Sequence, residues 1–572
     1  MRTLWISFTL LFTCLGQASA QTPRHKYPEV YTMSPMGVNI QTGAYHYSKQ
    51  DFAIGSLKFV RTWKGGESDG PQYPDPFGFG GWSHNFTFWV APREELPSGY
   101  FFDVYSDVPK TRFARINISP FVVPGSPEAQ GTTLTEHSLG NYTFENRNGD
   151  VYTFTNFQAT QVDYADGTRL LMSYSGKLLR TIISSRGDAI VLDYVNGRLA
   201  AACGYNRAVH YVTTSTTCSS GTPEVKVQYG YSSVNGTWAL SSVTDASNNT
   251  STMQYAFPTG NSGVVYLACV TLPNSWTCPV TSYYEDAIYI DRVSRQVTAT
   301  GETWNYSYSY LWDSDFEWGG RPGQITMSSR TMTDPGGHAA WFSYADGLLV
   351  EAHLREGPRA YEWDGVEAKA FTSALGNKVI LGRDPRQNVL TMTRKAVPGS
   401  GDADIVTTNT YPEAGQACVS TPIKRCNKPI STVDERGGQT DYTYDSAHGG
   451  VLTETGPAVN GVRPQMRSTY AQRYAWIKNS GGGYSQAETP IWILVQKSSC
   501  KTGAASGAGC SVSGDEVKTT YDYGPDSGPN TLLLRGQVED AGGIAARTCF
   551  TYDALGRKIS ETKPRAGLTV CP

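Results

Sequence analysis

The feature that most constrains this chain is a short strand-and-turn unit that returns along much of its length. One copy, SRGDAIVLDYVNGRLAAA at 185–202, carries Gly187, Tyr194, Gly197, Arg198 and Leu199 in order. In the preceding stretch Tyr174, Gly176, Lys177 and Leu178 take the same parts. Later copies read TDPGGHAAWFSYADGLLVEA, VDERGGQTDYTYDSAHGGVLTET (with Tyr444 and Asp445) and VEDAGGIAARTCFTYDALGRKISET. Each has a turn with Asp or Gly, a strand ending in Tyr, a second turn with Gly, and a return strand. A unit this small cannot bury its own apolar face, so copies must stack on one another in an array.

The period inside the units is two. Val151-Tyr152-Thr153-Phe154, Val225 to Tyr229 and Trp304 to Tyr308 alternate apolar and polar residues, whereas no long run has apolar residues at helical spacing. Asn148-Gly149, Asp166-Gly167, Asn196-Gly197, Asn235-Gly236 and Asp346-Gly347 punctuate the strands and predict two-residue hairpin turns. The abundance of 35 Tyr and 59 Gly fits half-buried strand faces joined by tight turns. The expected fold is all-β: antiparallel hairpins forming a curved, spiralling sheet that does not close.

The opening residues read as an export signal. Arg2 precedes an apolar stretch, Leu4 to Leu15, too short to span a bilayer, and Ala18-Ser19-Ala20 is a small-residue cleavage site. The alternative, a lipid anchor on Cys14, is disfavoured by bulky Phe12 and Thr13. No later stretch has the length and apolarity of a transmembrane helix. The product is therefore expected in the periplasm, at the cell surface or outside the cell. A net charge of -3 supplies no basic field for nucleic acid or an anionic membrane.

Export gives meaning to the ten remaining cysteines, which fall into close couples: Cys203 with Cys218, Cys269 with Cys278, Cys418 with Cys426, Cys500 with Cys510, and Cys549 with Cys571. Neither C-x-x-C couples nor interleaved His suggest zinc. Local disulfides suit an oxidising compartment, although spacing alone does not fix connectivity, and buried free thiols are the alternative.

FTYDALGRKISETKP, at 550–564, resembles the YD repeat of the Rhs and teneurin group through Tyr552, Asp553, Gly556 and Arg557. VNIQTGAYHYSKQDFAIGSLKFVRTW and FGFGGWSHNF resemble the amino-terminal region of bacterial Rhs-type proteins through Gly43, Phe52, Arg61, Trp63, Gly81, Trp82 and Ser83. The resemblance covers most of the chain after the signal, with a specific last repeat and degenerate middle ones. It implies a β-sheet spiralling into a hollow shell, often one that carries an effector, and surface contact through adhesion or sugars. The expected division is a signal at 1–20, an Rhs-type β domain at 21–165 and a degenerate YD array at 166–572. The chain ends at Pro572 soon after a good repeat, without the shell-closing motif or aspartate-protease segment of such proteins. An incomplete shell, a shortened paralogue or a fragment would each look like this. The last strand is then an edge, to be covered by a continuation, a second protein or self-association.

Catalytic and metal motifs fail on context. Gly66-Glu67-Ser68-Asp69-Gly70 matches a nucleophile-elbow pattern, but Pro71, Pro74 and Pro76 forbid the helix the elbow needs. Asp313-Ser314-Asp315 and Asp402-Ala403-Asp404 lack the further ligands of a calcium loop. Ser480 to Gly483 lacks the Gly-Lys-Ser/Thr end of a phosphate loop. Neither cofactor nor metal is expected. Trp304, Trp312 and Trp318, in the aromatic stretch from 304 to 318, are candidate glycan contacts, weighed against rings that merely fill the enclosed face. The expected function is thus a non-enzymatic structural or interaction protein with an unidentified protein partner or effector. The alternative is a carbohydrate-binding, less readily carbohydrate-cleaving, exported protein that meets a cell-surface glycan.

Overall fold

The computed structural model describes residues 33–65, 76–77, 81–95, 99–105, 111–115, 122–124, 129–257, 265–285, 292–310, 327–345, 348–364, 367–415, 417–541, 543 and 545–571. The signal segment, Ser68, Asp313 to Asp315, Trp312, Trp318 and the Asp346-Gly347 turn lie outside them. Among the described residues the fold is antiparallel β throughout, with a single four-residue α-helix, Ile423–Cys426.

Three main sheets build it, beside two small two-stranded ones. A small amino-terminal sheet joins His46–Ile54, Leu57–Lys64 and Trp82–His84. A 16-stranded sheet runs from Trp89–Glu95 to Tyr266–Val270, and a 20-stranded sheet from Val280–Tyr284 to Lys558–Thr562. Neither large sheet closes into a barrel: the 20-stranded sheet is an open path, and the 16-stranded one forks at Gln158–Asp163. The hydrogen-bonded sheets part between Val270 and Val280, and the turn at Asp166-Gly167 lies inside the first large sheet.

Period-two alternation decides which face is covered. Tyr152, Phe154, Ile190, Leu192, Leu199 and Val227 are buried against Phe52, Ile54, Phe59, Trp63 and Trp82 of the small sheet, in one continuous core. The small sheet therefore fills the enclosed face of the first large sheet. The core thins along the second. In Glu516–Asp522 no residue is fully buried on either face, and Lys558–Thr562 is mostly exposed.

Two turn designs alternate along the first large sheet. Asn196 and Gly197 both take positive φ (51° and 77°), as do Asn235 and Gly236 (49° and 79°), making the two-residue hairpins their sequences predict. Asn148-Gly149 and Asp166-Gly167 differ from expectation, being the last half of four-residue turns. There the Gly149 N–H donates to the Asn146 carbonyl and the Gly167 N–H to the Tyr164 carbonyl. The side chain of Asn146 accepts from two further turn N–H groups, of Asn148 and Asp150, and so favours the longer turn.

All five cysteine couples are joined as disulfides: Cys203–Cys218, Cys269–Cys278, Cys418–Cys426, Cys500–Cys510 and Cys549–Cys571, with Cα separations from 5.3 to 5.9 Å.

Candidate functional site

The repeat tyrosines explain how the sheets hold together. The Tyr position coincides with a β-bulge at Tyr174, Tyr194, Tyr231, Tyr255, Tyr284, Tyr344, Tyr444, Tyr470 and Tyr552. A bulge leaves a backbone carbonyl outside the ladder. A later Tyr reaches back to such a carbonyl: Tyr231 to Leu199 at 2.7 Å, Tyr255 to Leu240 at 2.6 Å, Tyr284 to Leu267 at 2.7 Å and Tyr308 to Val293 at 2.8 Å. Trp363 does the same with its indole N–H, 2.7 Å from the Leu349 carbonyl. The position thus selects an aromatic ring with a polar hydrogen.

The small sheet is held at both ends of the second large sheet. At the start of that sheet, the Gly43 carbonyl accepts the Val293 N–H (3.0 Å) and the Gln41 carbonyl accepts Arg330 Nε (3.1 Å). At its end, the Gly55 N–H donates to the Leu555 carbonyl in the YD turn (2.8 Å). Gly556 packs so closely here that a Cβ on it would sit 2.9 Å from Gly55 Cα. The neighbouring Ser56 donates its N–H and hydroxyl to buried Asp188 at 2.9 and 3.0 Å. Burial pushes the Asp188 carboxyl up to about 6, against the lowering pull of the Ser56 bonds and of Arg186 and Arg207.

The Rhs-like residues of the amino-terminal stretch serve the same seating. Arg61 Nε and Nη2 bond the Asp51 carboxylate at 3.1 and 3.2 Å, and Tyr229 from the large sheet donates to Asp51 at 2.8 Å. The Arg61 guanidinium lies 4.6 Å from the Trp82 ring centroid. Trp82 Nε1 donates to Tyr255 Oη at 3.0 Å, which joins the small sheet to the tyrosine system above.

The four-residue turns of the first large sheet form a row that meets loops of the second. Arg147 bonds Asn388 Oδ1 (2.6 Å), the Asp166 carbonyl takes the Trp492 N–H (2.7 Å), Arg207 pairs with Glu488 (3.1 Å), and Asn206 bonds the Ala554 carbonyl (3.3 Å). The Asp of the YD signature shapes this contact. Asp553 Oδ1 accepts the N–H groups of Leu555 and Arg557 at 3.0 and 2.9 Å, and Asp445 accepts those of Ala447 and His448. Where the turn after Tyr meets no neighbour, as at Gly197 and Gly236, the sequence uses Asn-Gly instead. Burial in this junction lowers the Lys428 ammonium to about 8 and pulls His448 below its ordinary value.

Between the two large sheets runs a groove of about 580 Å³, lined by Ala256, Phe257 and Ala268 on one side and by Thr281, Tyr283, Arg295 and Asn305 on the other. Strands Tyr266–Val270 and Val280–Tyr284 bound it without pairing in a ladder, and the Tyr284 bond to the Leu267 carbonyl and the Cys269–Cys278 disulfide tie them.

The sequence-predicted sites are distributed as follows. Tyr194, Gly197 and Arg198 form a hairpin, with Arg198 4.8 Å from the exposed Trp238 ring. Trp304, with Tyr306 and Tyr308, packs against the core, so its ring is not an open platform. Asp404 is bonded to Lys395 (2.5 Å) and to the Ala396 N–H. Cys500, Cys510 and Asp515 come close enough to suggest a metal site, but both sulfurs are committed to a disulfide. Sequence reasoning missed the groove because its residues come from strands with no shared motif, brought together where the ladder stops. Among the described residues no helix is long and apolar enough to cross a membrane.

No family profile matches this sequence, and no curated protein does. Several solved structures do. A TcdB2-TccC3-TEV chain matches at 12% identity and TM-score 0.34, over 88% of this chain and 27% of its own length. The Tc holotoxin pore of Photorhabdus luminescens, with a TccC3 mutation, matches at 12% identity and TM-score 0.33, over 90% and 27%. A porin-like protein from Bacteroides uniformis matches at 9% identity and TM-score 0.11, over 64% and 98%. This chain spans about a quarter of the length of the toxin-complex chains it matches. At such TM-scores the likeness carries no functional weight.

Proposed function

We propose that this protein is an exported structural and interaction protein: a partial β-shell, without catalysis of its own, that makes surface contacts or carries an effector. The observation that supports it is the grip on the amino-terminal unit, where Gly43, just before the small sheet, and Gly55, in its first hairpin turn, meet the start and the end of one 20-stranded sheet. A sheet that returns to the same small unit encloses space, and its thin core leaves the later strands accessible on both faces. The YD-type acids support a structural reading, because Asp445 and Asp553 are occupied in shaping turns.

Small-angle scattering on the exported chain tests the shell. A compact protein of about 550 residues has a radius of gyration of about 24 Å. A shell gives a clearly larger value with a hollow-body distance distribution, and a compact value would refute it. Co-expression with the product of the adjacent downstream gene tests carriage: protease protection of that product only in the presence of this chain is the expected result.

A further inference from the structure

The groove between the two large sheets carries an inference that is independent of the shell reading. Tyr283, Arg295 and Asn305 stand directly opposite one another on three adjacent strands, forming one row across the sheet. Directly opposed residues lie about 5 Å apart, so the row spans the width of a sugar ring or two. All three are exposed. The Arg295 guanidinium lies over the Tyr283 ring, 4.3 Å from its centroid, and no carboxylate among the described residues pairs with it.

Contact with the ring face holds the guanidinium in place while its forked N–H donors remain for a ligand. That is the geometry for a bidentate carboxylate. Among the described residues that line the groove, Arg295 is the one that carries a charge. Phe257, half exposed on the opposite wall, offers an apolar ring, and Asn305 offers an amide with both donor and acceptor. Small residues (Ala256, Ala268, Thr281) keep the groove open, and Cys269–Cys278 limits how far its walls separate.

A single forked cation, aromatic rings and a neutral amide suit a ligand with one carboxylate on a hydroxyl-rich ring. A polyphosphate would call for several cations. We propose that this groove binds an acidic sugar unit, a uronic acid of an anionic polysaccharide, with Arg295 on the carboxylate, Phe257 against the ring and Asn305 on a hydroxyl.

Titration calorimetry with oligogalacturonate, its methyl ester and a short polyglutamate tests this. The expected result is saturable binding of the acid, at least ten-fold weaker binding of the ester, and weakening with added salt. Arg295→Ala should lose at least ten-fold and Asn305→Ala several-fold, with thermal unfolding unchanged in both. Arg295→Lys, which keeps the charge but not the fork, should fall between. Equal binding of acid and ester, equal binding of polyglutamate, or wild-type affinity in Arg295→Ala would each overturn the proposal. So would failure of oligogalacturonate and an alginate oligomer alike to bind the wild-type chain.

Discussion

The Tyr231 hydroxyl donates a 2.7 Å hydrogen bond to the carbonyl of Leu199, and Leu199 is the residue that faces Tyr194 across a bulge. One repeat's tyrosine thus satisfies a carbonyl that the preceding repeat's bulge released. The ladder between these two adjacent strands runs from Gly204–Val225 to Ala201–Gln228, and this bond extends their join beyond it, between one hairpin and the next. It gives a structural reason for a Tyr at one fixed place in each unit.

Tyr231→Phe removes this bond while keeping the ring. It should cost about 0.5–1.5 kcal/mol, more if the carbonyl is left dry. Trp363→Phe should behave alike, since Trp363 makes the equivalent bond to Leu349. Shifts in the urea midpoint, with faster amide exchange confined to the two hairpins concerned, are the expected readouts. No change in either variant would mean that these bonds are incidental.

Gly556→Ala and Gly437→Ala form a matched pair. Both glycines have positive φ (77° and 79°), so each alanine costs about 1 kcal/mol in backbone strain. Around Gly437 the space is open, whereas at Gly556 the new Cβ meets the Gly55 backbone. Gly556→Ala should therefore destabilise more than its partner, and it alone should speed exchange of the Gly55 amide. Equal effects would show that the YD turn does not seat on the amino-terminal hairpin.

Asp188 makes stability depend on pH in a defined window. Its folded value of about 6 lies above the ordinary carboxylate value of 3.8. Its contribution is thus fully present below about pH 4 and is lost as pH rises through about 6, on the order of 3 kcal/mol at most. Glu413 acts in the opposite sense. The N–H groups of Val419 and Thr421, with the Ser420 hydroxyl, hold its carboxyl down to about 2, so its contribution is lost as pH falls below the ordinary range. Asp188→Asn should flatten the stability profile between pH 4 and 6 and leave the acid limb alone. An unaltered profile would remove Asp188 from the account.

Peptide mapping without reduction should recover the five local cysteine links and none between couples. The Cys203–Cys218 loop, 15 residues in separation, should contribute about 3 kcal/mol by the chain-entropy model. Serine at both positions should lower the melting temperature without abolishing the fold, since the sheet there is buried on both faces.

By itself the sequence determined strand identity, the Asn-Gly hairpins at Asn196 and Asn235, and the cysteine couples, because each depends on residues close along the chain. It also showed the Tyr position as a repeat without showing its use. The acceptor of each bond lies in an earlier hairpin, on a strand whose own residues do not record which later ring will reach it. Only the tertiary structure decided that Asn148-Gly149 belongs to a longer turn, that Trp304 faces the core, and that Gly55 seats on Gly556. These are outcomes of which turn row meets which loop. Such contacts join residues up to about 500 positions apart, at Gly55 and Gly556. They depend on the accumulated twist of many strands, a quantity that no local pattern of residues records.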